Sequence, residues 1–153
     1  MNDFFTILKP ELIITFIIFL LLFIKIGKGM TNDAMLTLIQ VLLLMNFIAG
    51  FFFNTEGSLF DGMYFSNPLI TLQKSILSLG VYLISLLFTD WFKKTQHLPE
   101  FFILMLAALL GMNFLISSGN FLMFFLALEL ASIPVAAMAN FDLEKKISSE
   151  AAM

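Results

Sequence analysis

No cysteine occurs among the 153 residues, and there is a single histidine, His97. Without thiols the chain can form no disulfide framework, thiolate metal site or iron-sulfur ligation, and it has no cysteine nucleophile. One histidine leaves almost no metal chemistry; in its polar loop it reads as an ordinary solvated side chain. Charge is also scarce, at 12% of residues with a net charge of -3. A nucleic-acid-binding surface needs a strong positive balance, and intrinsic disorder needs low hydrophobicity, so neither class fits. No GxGxxG or phosphate-loop pattern is present, and no carboxylate pair or Ser-His-Asp set is placed for soluble catalysis. No cofactor-binding site and no metal site are therefore expected within this chain, and it does not read as an enzyme by itself.

What is present is apolar: 60% of residues are hydrophobic and the mean hydropathy is +0.99. A soluble core of this size cannot hide so much apolar surface, so the composition implies a multispan membrane protein. A bilayer core about 30 Å thick needs roughly 20 helical residues per crossing. Five such runs are expected, at 10–26, 34–53, 68–88, 101–117 and 121–139, which makes the fold class all-α. The first is the shortest apolar run, with Glu11 at one end and Lys25 able to snorkel at the other. It reads as a retained span and not a cleaved leader, because Asp3 and Glu11 offset Lys9 and no small-residue cleavage site follows. The segment from Asn54 to Asn67 reads as a turn-rich external loop, with room for a short interfacial helix. The polar stretch from Thr89 to Glu100 carries Trp91 and Phe92, which suit a membrane-water boundary. Residues 140–153 form a charged tail.

Orientation follows from lysine, because cytoplasmic loops retain positive charge. With five spans, Lys25, Lys28, Lys93, Lys94, Lys145 and Lys146 share one side, whereas the other carries Lys9 with Glu56 and Asp61. The expected arrangement puts the N-terminus outside and the tail in the cytoplasm.

Polar residues inside the spans are the informative ones. Glu129 stands about ten residues from the Gly119 turn, which at 1.5 Å per residue is about 15 Å, the bilayer midplane. An ionisable group there costs on the order of 3 kcal/mol, so such groups face a protein interior or a wet cavity and serve transport. Glu129 is accordingly the leading proton-transfer candidate, against a bland reading as a protonated interhelical hydrogen-bonding group. Ser132, Ala136 and Ala139 share its face as a groove of small side chains, and Pro134 leaves the Leu130 carbonyl without its amide partner. Lys74, about six residues into the third span, either snorkels or packs structurally, or belongs to a proton path. Thr71, Lys74, Ser75, Ser78, Tyr82 and Ser85 recur at helical spacing, so this side of the helix is expected to face other helices. Gln40, Asn46 and Asn113 read as interhelical hydrogen-bonding groups, and Ala107, Gly111 and Ser118 as a close-packing seam.

The stretch from Glu100 to Phe141 resembles a pair of helices in the antiporter-like membrane subunits of respiratory complex I. The GMNFL segment from Gly111, the turn before Asn120 and LELASIP from Leu128 to Pro134 carry the likeness. Upstream, LFDGMYFSNPLITLQKSIL, from Leu59 to Leu77, is most similar to subunit N, called subunit 2 in mitochondria. The resemblance implies the N-terminal part of a fold with about fourteen spans in two inverted repeats, and SSEAAM at the C-terminus looks like the lead-in to a sixth helix. It further implies a role in the proton-pumping membrane arm of NADH:quinone oxidoreductase, in a bacterial inner membrane, with Glu129 matching a glutamate that works with a lysine on a later helix. Partners would be other membrane-arm subunits, the lipid bilayer and protons. NADH, FMN, iron-sulfur clusters and quinone would belong to other subunits. Two alternatives are a subunit of a multisubunit cation/proton antiporter and a non-transporting membrane scaffold or assembly piece.

Overall fold

A computed structural model describes residues 2–27, 30–52, 56–95 and 97–141; the tail from 142 onward, with Lys28, lies outside them. Among the described residues there are seven helices: α1 (Asn2–Ile7), α2 (Lys9–Ile26), α3 (Asn32–Phe52), α4 (Pro68–Leu87), α5 (Thr89–Lys94), α6 (Leu98–Ile116) and α7 (Phe121–Ala139). Four of them, α3, α4, α6 and α7, are long and apolar enough to cross a membrane. The fifth expected crossing, α2, has the length at 18 residues but carries Lys9, Glu11 and Lys25. One of those charges is neutralised inside the bundle, as described below.

Start signals are local. Asn67 caps α4, its Oδ1 accepting from the Ile70 amide at 2.7 Å, with Pro68 next in the first turn. Asn120 caps α7 in the same way through the Met123 amide at 2.8 Å. Side chains inserted between α2, α3 and α6 form the main core, around Ile14, Ile17, Leu21, Leu36, Ile39, Leu43, Phe102, Leu106 and Leu109. The expected polar side of α4 does face inward: Thr71, Lys74, Ser75, Ser78 and Ser85 are all buried.

In place of a short interfacial helix, residues 57–66 form a β-hairpin. Strand β1 (Gly57–Leu59) pairs antiparallel with β2 (Tyr64–Ser66), Leu59 opposite Tyr64. The turn takes left-handed backbone at Phe60, Asp61 and Gly62, the last suited by glycine. Alternation puts Tyr64 and Ser66 inward and Phe65 outward. The hairpin then docks on the α6–α7 turn, where the Phe65 amide donates to the Ser117 carbonyl at 2.8 Å and the Gly119 amide to the Met63 carbonyl at 2.7 Å. A Cβ at Gly119 would collide with the Gly62 carbonyl and the Phe65 ring. The hairpin therefore closes one end of the bundle.

At the opposite end, α5 lays Phe92 into the core and leaves Trp91 about half exposed, the division expected at a membrane boundary. Lys25 pairs with Glu100 at 2.8 Å and Lys93 with Asp33 at 3.3 Å. Helix α7 continues through Pro134 without interruption. It lies along α6, and at Gly111 the α7 backbone at Leu130 and Ala131 occupies the space a side chain would need. Gly111→Ala should force the two helices apart at a loss of roughly 1–3 kcal/mol. A detergent-unfolding titration of the chain in bicelles would show a lowered midpoint; an unshifted midpoint would contradict this close approach.

Candidate functional site

The sequence singles out Glu129 and Lys74, and the structure puts them in opposite surroundings. Lys74 does not snorkel. Its ammonium lies inside the bundle, 2.6 Å from Glu11 Oε1 and 2.8 Å from the Tyr64 hydroxyl oxygen, with the lysine and glutamate side chains each 3% exposed. Three elements meet there: α4 supplies the cation, the first turn of α2 the anion, and β2 the phenol. Two charges placed 2.6 Å apart in a low-dielectric interior make the pair electrically neutral, which lets α2 contribute a carboxylate to a membrane-embedded bundle. Tyr64 is fully buried. Its burial, and next the negative charge of Glu11, push the phenol well above its ordinary pKa, so it stays protonated and acts only as a neutral hydrogen-bonding group.

The ion pair continues into a polar pocket. Asn46 donates to the Ser78 hydroxyl at 3.0 Å, tying α3 to α4. A small polar cleft, partly open to solvent and with room for about one water, is lined by Lys74, Asn46, Ser75, Ser78, Asn113 and Gly50 among others. Asn113 is 1% exposed, and neither its amide nitrogen nor its carbonyl oxygen has a hydrogen-bond partner among the described residues; the same holds for Glu11 Oε2. Gln40, by contrast, meets the expectation of an interhelical group, bonding the Ser85 carbonyl at 3.1 Å and the Thr89 hydroxyl at 3.2 Å.

Glu129 lies on the outside of α7 with Ser132, Ala136 and Ala139, all exposed. Only 11% of α7 is buried, against 39% of α6. Among the described residues none hydrogen-bonds the Glu129 carboxylate, and Ser132 reaches only the Glu129 backbone carbonyl, at 3.4 Å. Lys74 and Glu129 are thus not members of one cluster. His97 sits on the surface 3.3 Å from Glu100, as expected of a solvated side chain, and among the described residues no group of histidine and carboxylate side chains is arranged to hold a metal.

A protein named NADH-quinone oxidoreductase subunit N from Phocaeicola vulgatus is 48% identical over 63% of this chain. The chain resembles the N-terminal portion of subunit N. The subunit N of Azobacteroides pseudotrichonymphae is 37% identical over 67% of the chain, and that of Rubrobacter xylanophilus 30% identical over 95%. The chain spans only 21%, 22% and 31% of the length of these three relatives. No family model matches it.

Glu11 was not flagged in sequence because it lies 63 residues from its partner at the polar edge of a span, where a carboxylate usually faces water. The only signal was the excess of charge in α2. If the pair balances its own desolvation, Lys74→Met alone should destabilise the chain by roughly 3–5 kcal/mol, and Lys74→Met with Glu11→Leu should recover most of that loss. Unfolding midpoints of the single and double variants in bicelles check this; additive losses would contradict it.

Proposed function

We propose that the chain is part of a membrane subunit of an NADH-quinone oxidoreductase, one that moves protons and does no redox chemistry, and that Glu129 is its proton carrier. The observation that carries this reading is the place of Glu129: an ionisable group midway along a 19-residue apolar helix, on a face the rest of the described chain leaves uncovered. Lipid is a poor neighbour for that face, since a carboxylate at this depth costs about 2.5–3.5 kcal/mol. Leu122, Leu126 and Ile133 on the same helix tolerate lipid; Glu129, Ser132 and Ala136 form a stripe suited to another helix or to water.

Desolvation favours the neutral acid and an approaching cation favours the carboxylate, so a partner charge moving toward and away from Glu129 would load and release one proton. That partner comes from outside the described residues; the resemblance assigns it to a lysine on a later helix. NADH, flavin, iron-sulfur clusters and quinone belong to other subunits on this reading. The partners are further membrane-arm subunits in a bacterial cytoplasmic membrane. Lysine placement supports a sidedness with Lys25 and Lys93 toward the cytoplasm and the β-hairpin outside.

Glu129→Gln in the complete complex should abolish most proton translocation through this subunit while leaving assembly intact, and Glu129→Asp should do less harm. Proton uptake measured against quinone reduction in inside-out vesicles reads both. Unchanged translocation in an assembled Glu129→Gln complex would overturn the assignment and favour a scaffold.

A further inference from the structure

We propose that Glu11, Lys74, Tyr64 and Asn113 form a second proton-holding site in this chain, with a water molecule seated between the Lys74 ammonium and the Asn113 amide. The inference rests on the proton-moving reading for its purpose, but not on Glu129, which lies on another face of the structure.

Four elements converge on the site: α2 with Glu11, β2 with Tyr64, α4 with Lys74 and α6 with Asn113, all at most 3% exposed. Ser117, also fully buried, adjoins the phenol. Among the described residues, Glu11 and Tyr64 are the titratable groups bonded to Lys74, and α3 contributes the neutral Asn46 to the cleft. A purely structural ion pair would have its lone pairs and protons satisfied. Here Glu11 Oε2 and both polar atoms of the Asn113 side chain have no partner among the described residues, and leaving them dry is unfavourable. Lys74 and Asn113 line the same cleft, which is polar and has room for about one water. Water at that point offers Asn113 both a donor and an acceptor and gives the pair a route for protons.

The 2.6 Å hydrogen bond makes the exchange short. When the proton passes from Lys74 Nζ to Glu11 Oε1, one N–H bond breaks and one O–H bond forms. An ammonium and a carboxylate become an amine and a carboxylic acid with no change in net charge, which a low-dielectric interior tolerates. A further proton delivered by the water restores the ammonium beside the acid and leaves the site with one extra positive charge. The hairpin seals the near end through Tyr64, while Ser75, Ser78 and Asn46 extend polar surface along α4 away from the seal. Protons therefore enter and leave by the cleft.

The test reads Lys74 itself. With isotope-labelled lysine in the full chain in lipid bilayers, solid-state nitrogen NMR should show magnetisation transfer between the Lys74 amine and water, with side-chain hydrogens exchanging into deuterated buffer within hours. Asn113→Leu should remove the water signal and slow that exchange by about tenfold or more. A Lys74 nitrogen with no water contact and no exchange over days would overturn the proposal, as would exchange indifferent to Asn113→Leu. In the complete complex, Lys74→Arg keeps the charge on a group that does not deprotonate. Assembly with strongly reduced proton translocation is expected, and assembly with full translocation would overturn the proposal. If Lys74→Arg fails to assemble, the spectroscopic result decides. Glu129→Gln separates the two sites, because it should stop translocation without altering the Lys74 exchange.

Discussion

The ammonium of Lys74 against the carboxylate of Glu11 is the contact on which this bundle turns. Alone, either charge would be driven toward water. Together, at 2.6 Å, they cancel, and two positions 63 residues apart in sequence meet at one end of the molecule. Tyr64 completes the arrangement because its hydroxyl supplies a neutral oxygen to the lysine and its ring shuts the end against solvent. The β-hairpin, otherwise a two-stranded element too small to persist alone, is held by that phenol below and by the α6–α7 turn beside it. Gly119, where the turn and the hairpin backbone meet too closely for a side chain, follows from the same docking.

Membrane helices are legible in a sequence when a long apolar run coincides with clear breaks, and α3, α4, α6 and α7 satisfy this. Pro68 and Asn120 marked their starts, and the polar side of α4 could be read from spacing alone. The pairing of α2 with α4 could not, since nothing local in the first run points to a lysine two helices further along the sequence. The hairpin was missed for a different reason: its strands are three residues each, too short for alternation to register, and their stability is tertiary. Asn113 was read as an interhelical hydrogen-bonding group by residue type, yet both its polar atoms are without a partner among the described residues.

Two ionisable sites result, with opposite relations to the rest of the chain. Glu11 and Lys74 are enclosed by residues described here, so their behaviour is intrinsic to this bundle. Glu129 projects from a helix that touches little besides α6, so its chemistry depends on whatever covers it. That division fits the comparison with subunit N, of which the chain matches between about a fifth and a third of the length. Among the described residues, one end holds a neutral internal pair and the outer face of α7 bears an uncovered acid.

Amine labelling of the folded chain in lipid bilayers, with a small membrane-permeant acylating reagent and residue-by-residue mass spectrometry, tests the buried pair most directly. Lys25 and Lys93, each nearly half exposed, should be acylated readily while Lys74 stays unmodified until the bundle is unfolded. Acylation of Lys74 as fast as that of Lys93 would mean that its ammonium reaches the surface, and the account of the sealed, neutral end would be wrong.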